Sequence, residues 1–149
     1  EAVRATAFLN LQYRVVGRQL FRLAASEQIL DGFAHQGNRV PVDHQPWSAV
    51  EPMAIWLKNQ GMKGVFAFDV AVTRTADGVR FPVIECNPRF NGASYPTMIA
   101  QKLDIREWTA LTMKTCYRSL ADIDIDVARR KVRLPAGLAL DPGGIGRWA

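Results

Sequence analysis

Apolar and polar residues alternate along roughly the first 24 positions of the chain. Alternation with a period of two predicts β-strands, because successive side chains of a strand point to opposite faces. Gly17 interrupts the alternation and Leu20 resumes it, so we predict two strands joined by a turn near Gly17. The apolar parity of the first strand consists of Ala7, Leu9, Leu11, Tyr13 and Val15.

The following segment, residues 26–46, predicts an irregular stretch with at most a short turn of helix. A helix is predicted to begin at Ser48, which precedes Glu51 by the three residues of a capping box. Gly61 is typical of the residue that follows a helix. The glycines and prolines that indicate the irregular stretch are Gly32, Gly37, Pro41 and Pro46.

A hairpin is the clearest feature of the central sequence. Residues 65–73 and 79–87 are both strand-like, and Asp77-Gly78 between them is a turn signal. One parity of the first strand is an apolar core face, whereas the other combines small residues with the single acid Asp69. We expect the return strand to place four residues on one face, namely Phe81, Val83, Glu85 and Asn87.

The register of this hairpin decides which side chains meet. A three-residue loop over 76–78 pairs Asp69 with Glu85, whereas a two-residue loop would pair Asp69 with Cys86. We prefer the first register because it keeps both core faces apolar. It also pairs Thr73 with Phe81 and Ala71 with Val83.

The remaining sequence predicts further helices and a strand. Residues 88–92 are expected to form a loop, and Ser94 to cap a short helix that ends near Leu103. Asp104 and Glu107 have capping-box spacing and predict a helix over about 105–120. Residues 132–140 are strand-like, and a turn is predicted from Asp141. Because hairpins predominate, we predict an α+β fold: an antiparallel sheet with flanking helices.

Composition narrows the class of protein. The 149 residues are 48% hydrophobic and 22% charged, which predicts one globular domain over 1–149 and excludes a disordered or fibrous chain. Two cysteines are too few for a disulfide scaffold, so we expect a reducing, cytoplasmic setting. No apolar run approaches membrane-spanning length, so no membrane partner is expected. Because the chain opens at Glu1 within an alternating segment, we expect a fragment of a longer protein.

Charge adds little to the choice of partner. The formal net charge of +5 weakly favours polyanionic partners such as nucleotides or nucleic acid. The densest basic run lies at 129–133 and is interpreted as the solvated end of a strand or helix. Aromatic residues do not alternate with the basic ones, as they do in proteins that bind single strands.

The two facing carboxylates are the main chemical feature. Asp69 and Glu85 would lie roughly 5 Å apart at Cβ and repel each other, unless a divalent cation lies between them. Asn87, on the same face, adds an amide oxygen, and two carboxylates with an amide suit Mg²⁺. Arg89, two residues further, could hold a phosphate or a carboxylate through its planar guanidinium. A solvated acidic pair and acid–base catalysis by the two carboxylates remain alternatives.

These segments resemble the C-terminal, metal-binding lobe of the ATP-grasp superfamily. The resemblance is carried by Asp69 and, after the hairpin, by the Glu-x-Asn-x-Arg motif of Glu85, Asn87 and Arg89. The sequence after this motif, over 91–96, is similar to the ligase-like and carboxylase-like members. The strong match covers residues 61–103, and a weaker one covers 5–46.

The resemblance implies a function. In that fold Asp69, Glu85 and Asn87 would bind Mg²⁺ (or Mn²⁺) on ATP phosphates, and Arg89 would contact the phosphate or the substrate. Glu85 and Asn87 would thereby help to bind the nucleotide. Members activate a carboxylate as an acylphosphate, which an amine or thiol then displaces.

The resemblance also implies what is missing. The lobe with the phosphate-covering loop lies upstream in the family and has no counterpart here, so we expect an inactive fragment that pairs with a missing N-terminal lobe. A homo-oligomer remains possible. Two other functions remain open: a non-catalytic binding module of this fold, and a basic α+β domain that binds nucleic acid.

Several other residues are interpreted as ordinary. His35 and His44 are expected to be polar loop residues, although His35 is a possible substrate contact by resemblance. Cys86 is expected to be a buried packing residue rather than a nucleophile, and Cys116 to lie in a helix. The glycines at 143–146 are interpreted as a turn near the end of the chain. The polar parity of the first strand is expected to face solvent, and consists of Asn10, Gln12 and Arg14.

Overall fold

The computed structural model describes residues 4–112, 124–126 and 131–133. Two helices and nine strands lie in these ranges. The helices are α1 (Trp47–Asn59) and α2 (Ser94–Lys102). The first four strands are β1 (Ala5–Val16), β2 (Gln19–Asp31), β3 (Ala34–Val40) and β4 (Gly64–Thr75). The others are β5 (Gly78–Arg80), β6 (Val83–Asn87), β7 (Trp108–Leu111), β8 (Asp124–Asp126) and β9 (Lys131–Arg133).

Seven strands form one antiparallel sheet in the order β5-β4-β1-β2-β3-β7, with β6 also paired to β4. The predicted α+β fold with an antiparallel sheet is therefore confirmed. The first predicted hairpin is also confirmed, because β1 and β2 are joined at Gly17, which has a positive φ of 59°. A tight turn requires this conformation, and glycine adopts it without steric cost. No helix in the described ranges is long and apolar enough to cross a membrane.

The hydrophobic core lies between the sheet and α1. Leu11, Tyr13 and Phe66 are fully buried there, and Val50 and Ala54 of α1 pack against them. The Tyr13 and Phe66 rings stack with their centroids 5.6 Å apart. Burial is the main reason that the pKa of Tyr13 is raised to about 12. The alternation of β1 thus correctly predicted which parity enters the core.

The segment 26–46 is mostly strand, so the prediction of an irregular stretch is wrong. Strand β2 continues to Asp31, and β3 returns after a turn at Gly32. Gly37 lies within β3 because β7 approaches closely there. A Cβ at Gly37 would lie 1.9 Å from the carbonyl oxygen of Ala110, which no side chain tolerates. The glycine that indicated a loop instead permits a strand pairing.

Both helices lie where expected but begin differently. Helix α1 has Pro46 at its N-cap and no side-chain cap, and Ser48 lies inside the helix. Glu51 instead forms an ion pair with Arg22 of β2, whose Nε lies 2.9 Å from the carboxylate. Helix α2 begins at Ser94, whose hydroxyl exchanges hydrogen bonds with Asn91 rather than capping the helix.

The prediction of a helix over 105–120 is wrong for residues 105–112, which are the part of this range that the structure describes. Residues 108–111 form β7, which pairs with β3, and Asp104 has a positive φ of 52°. Residues 113–120 and Cys116 lie outside the described ranges. Of the strand predicted over 132–140, β9 covers 131–133 and pairs with β8. Residues 134–149, including the turns predicted from Asp141 and at 143–146, also lie outside.

Candidate functional site

The register of the central hairpin changes between its turn and its far end. The turn contains two residues, Ala76 and Asp77, so that Thr73 pairs with Arg80 instead of the predicted Phe81. A β-bulge at Ile84 then adds one residue to β6. Beyond the bulge, Asp69 pairs with Glu85, as the sequence predicted.

The bulge also changes which residues share a face. Val83 pairs with Val70 rather than with the predicted Ala71, and both Phe81 and Val83 pack against the core. Glu85 and Asn87 lie on the other face, opposite Asp69 and Ala67. The expectation that all four residues of the return strand share one face is therefore wrong, because an extra residue reverses the alternation.

Asn10 and Asn87 hold the carboxylate of Asp69 from two sides. The Nδ2 of Asn10 donates to Oδ1 of Asp69 at 2.6 Å, and the Nδ2 of Asn87 donates to Oδ2 at 3.1 Å. Asn10 is 3% exposed and Asn87 7% exposed. Both oxygens of Asp69 are therefore fixed by buried amides.

The polar parity of β1 is largely buried, so its assignment to solvent is wrong for Asn10 and Gln12. The cause is α2, which covers this face of the sheet. The Nε2 of Gln12 donates to the hydroxyl of Thr97 at 3.0 Å and to the carbonyl of Ala93 at 3.3 Å. Arg14, by contrast, is exposed.

The polar row continues across β2 and β3. Ser26 pairs with Asn10 across the strands, and its hydroxyl accepts a hydrogen bond from Nδ2 of Asn38 at 3.1 Å. The Oδ1 of Asn38 lies 2.8 Å from Nε2 of His35. Polar side chains thus extend in one row from β6 to β3, on the face opposite the core.

A cavity of about 480 Å³ opens over this row. Its walls contain the four residues that the sequence singled out, which are Asp69, Glu85, Asn87 and Arg89. Glu85 and Arg89 are exposed at its edge, and Nη1 of Arg89 donates to the carbonyl of Phe90 at 3.2 Å.

The walls also contain residues that the sequence analysis did not assign to a site, namely Asn10, Gln28 and Asn38. In the sequence, the one feature that singled out Asn10 as a candidate was its position as a polar residue between the apolar residues of β1.

The electrostatics of the cavity disfavour the charged form of Asp69. Desolvation is the main cause that raises the pKa of this carboxyl, and the nearby charge of Glu85 acts in the same direction. Hydrogen bonds from Asn10, Gln28 and Asn87 oppose the rise. A cation beside the two carboxylates would relieve both unfavourable effects.

The donor atoms suit a hard cation. Asp69 and Glu85 supply carboxylate oxygens, and Asn87 supplies an amide oxygen on the same face. The Oδ1 of Asn10 is buried with no partner among the described residues. Within those residues no three His, Cys, Asp or Glu side chains cluster as metal ligands. Two carboxylates and an amide oxygen are the ligand type that Mg²⁺ takes, and this ion usually completes its shell with waters.

His35 lies in β3, so its prediction as a loop residue is wrong, whereas His44 lies in the loop between β3 and α1 as predicted. His44 packs its ring against Phe81 at a centroid distance of 5.4 Å, which is an ordinary contact. Cys86 is exposed rather than buried, so that prediction is wrong. Desolvation and the charge of Glu85 raise the pKa of the Cys86 thiol, which disfavours the thiolate that a nucleophile needs.

Several solved structures share this fold. A phosphoribosylaminoimidazole carboxylase ATPase subunit from Aquifex aeolicus matches 61% of this chain and 27% of its own, with a TM-score of 0.50 and 18% identity. An N5-carboxyaminoimidazole synthetase from Staphylococcus aureus complexed with ADP matches 66% of this chain and 26% of its own, with a TM-score of 0.53 and 13% identity. No protein-family model matches the sequence, and no curated protein matches it significantly.

The resemblance to ATP-grasp proteins is thereby confirmed at the level of the fold. At this low sequence identity, the similarity shows a shared fold and nothing more. The chain spans about a quarter of the length of these neighbours.

Proposed function

We propose that this chain is the metal- and phosphate-binding lobe of an ATP-dependent ligase that joins a carboxylate to an amine or a thiol. In this proposal residues 1–149 are one domain of a longer protein, and an N-terminal lobe of the same protein completes the nucleotide site. The short span of the chain relative to its structural neighbours supports this division.

The observation that carries the proposal is the facing pair of Asp69 and Glu85 in the polar cavity. Carboxylates placed directly opposite in a sheet destabilise it. Neither carboxylate forms an ion pair within the described residues. A divalent cation bound between the two carboxylates would offset their repulsion, which would explain why the fold places them opposite each other.

Each residue of the site has a distinct role in this proposal. Asp69, Glu85 and Asn87 would hold Mg²⁺ or Mn²⁺, which supplies charge neutralisation on the phosphate oxygens of ATP when bound. Asn10 orients Asp69 through its 2.6 Å hydrogen bond. Arg89, at the edge of the cavity, binds phosphoryl oxygens through its planar guanidinium.

The reaction class follows from these roles. Transfer of the terminal phosphoryl group of ATP to a carboxylate gives an acylphosphate and ADP. Attack by the amine or thiol on the acyl carbon then releases phosphate. The residues of this chain contribute positioning and electrostatic stabilisation, which account for most of the catalysis in phosphoryl transfer.

The proposal is tested by measuring the affinity of the chain for ADP with and without Mg²⁺ by calorimetry. We expect Mg²⁺ to strengthen ADP binding by about tenfold or more, which corresponds to at least about 1.4 kcal/mol. Asp69→Asn and Glu85→Gln should each remove that dependence. The matched control is Asp77→Asn, because Asp77 is an exposed carboxylate paired with Arg80 away from the cavity. A Mg²⁺ effect that survives in both site variants would overturn the proposal.

A further inference from the structure

A second cavity of about 380 Å³ adjoins the first and has fewer polar side chains in its walls. Its walls are mainly apolar and include Tyr95, Ile99, Trp108 and Leu111. His35 and Gly92 line both cavities, so the two spaces meet at these residues. A ligand that extends past His35 would have a polar end and an apolar end.

His35 is an exposed residue of β3 that lies at this junction. Its ring packs against the backbone of Gly92, since a Cβ there would lie 3.0 Å from Cε1 of His35. Its Nε2 contacts Oδ1 of Asn38, which is 1% exposed. The other end of the Asn38 amide donates to Ser26, which is fully buried.

This hydrogen-bond chain orients His35 toward Asn38. Because Nδ2 of Asn38 donates to Ser26, its Oδ1 faces His35, and an amide oxygen only accepts. With the Asn38 amide in this orientation, Nε2 of His35 carries the proton. In the neutral imidazole Nδ1 is then the acceptor, and it has no hydrogen-bond partner among the described residues.

We propose that the joined cavities bind the acceptor substrate as a primary amine that carries an apolar group. The apolar group would lie among Tyr95, Ile99 and Trp108, and the nitrogen would donate a hydrogen bond to Nδ1 of His35. An amine is favoured over a carboxylate because the junction offers a hydrogen-bond acceptor, Nδ1 of His35, to which an ionised carboxylate cannot donate.

This assignment rests on the proposed ligase function for its chemical step. The neutral amine nitrogen forms a bond to the acyl carbon, and the bond from that carbon to the phosphate oxygen breaks. The electron pair leaves with the phosphate. A proton passes from the nitrogen to Nδ1 of His35, which makes His35 the catalytic base of the transfer.

The test uses benzylamine as a probe and follows the chain by NMR at about pH 8.5, where imidazole side chains are ordinarily neutral. Benzylamine should shift the Nδ1 signal of His35 and the signals around Ile99. Ethylamine, which lacks the apolar group, and phenylacetate, which lacks the donor, should each bind at least about tenfold more weakly. Stronger binding of phenylacetate than of benzylamine would overturn the assignment of an amine.

Variants separate the two parts of the site. His35→Phe keeps a ring on Gly92 and should weaken benzylamine binding by about tenfold, the usual effect of a lost hydrogen bond to a charged group. Ile99→Glu should abolish binding, whereas Met98→Glu should not. Both residues are 46% exposed on α2, and only Ile99 lines the cavity.

The tautomer of His35 can be tested even if His35→Phe does not fold. The ¹⁵N shifts of the wild-type ring decide it, and protonation on Nδ1 would overturn the proposal. Benzylamine binding in a chain that shows no effect of Mg²⁺ on ADP would support the amine site and reject the ligase function. The reverse pattern would reject the amine site alone.

Discussion

Asp69 and Glu85 lie directly opposite each other, although the turn that joins their strands sets a register that would place Ile84 opposite Asp69. The bulge at Ile84 absorbs the difference of one residue. It leaves Val83 on the core face and brings Glu85 to the cavity. The facing carboxylates therefore depend on the bulge as well as on the turn.

The first prediction concerns that bulge. Deleting Ile84 should leave Glu85 opposite Asp69, because the strand then continues the register of the turn. Deleting Cys86 should instead move Asn87 opposite Phe68, on the core face. We expect near-normal thermal stability and a retained Mg²⁺ effect on ADP for the first deletion, and loss of both for the second. Equal behaviour of the two deletions would contradict this account of the register.

The second prediction concerns Asp69 and pH. The pKa of Asp69 is raised above its ordinary value of 3.8, so the folded chain binds more protons than the unfolded chain between those two values. The free energy of unfolding therefore falls as pH rises through this window, and the loss is complete above the raised pKa. Asp69→Asn lacks this titration.

We therefore expect the stability of Asp69→Asn relative to the wild type to increase as pH rises from about 4 and to level off once the pH exceeds the raised pKa of Asp69. Denaturant unfolding at a series of pH values measures the difference. If Asp69→Asn were more stable than the wild type by the same amount at low and at neutral pH, the charge of Asp69 would not be the cause of the difference.

The third prediction concerns Asn10. Asn10→Ala removes the donor to Oδ1 of Asp69, and that hydrogen bond opposes the rise in the pKa of Asp69. We expect the pKa to rise further and the chain to lose about 1–3 kcal/mol of stability. An NMR titration of the Asp69 carboxyl carbon measures the first effect. Asn59→Ala, at an exposed position on α1, should change neither quantity.

The fourth prediction concerns Arg89. Arg89→Lys keeps the charge but loses the two-pronged geometry that suits phosphate. We expect ADP binding in the presence of Mg²⁺ to weaken by about tenfold. Arg80→Lys is the matched control, because Arg80 is exposed and paired with Asp77 outside the cavity. If both variants bind ADP as the wild type does, Arg89 does not contact phosphate.

Much of the sheet follows from local sequence. The alternation in β1 and β4 is regular, and both strands pair over most of their length. The facing of Asp69 and Glu85 was also predicted, but the three-residue loop given as its reason is wrong, because a two-residue turn and a bulge produce the pairing. The break between β5 and β6 was not predicted, because residues 79–87 were expected to form one strand. Pro82 lies in this break and lacks the N–H that a continuous ladder requires.

The parts that the sequence did not predict depend on contacts between distant segments. Gly37 resembled a loop residue because its close neighbour, Ala110, lies far away in sequence. Asn10 and Gln12 had the pattern of a solvated face, and only the packing of α2 shows that they are buried. The polar cavity is thus assembled by topology rather than by a single motif.

The central claim is that Asp69 and Glu85 bind a divalent cation, and Mn²⁺ with NMR detection tests it most directly. Bound Mn²⁺ broadens signals near it, and the side-chain amides of Asn10 and Asn87 both contact Asp69. We predict that low concentrations of Mn²⁺ broaden these two amide signals before that of Asn59, and that excess Mg²⁺ restores them. Glu85→Gln should remove the selective broadening. Uniform broadening of all three amides, or selective broadening that persists in Glu85→Gln, would contradict the account.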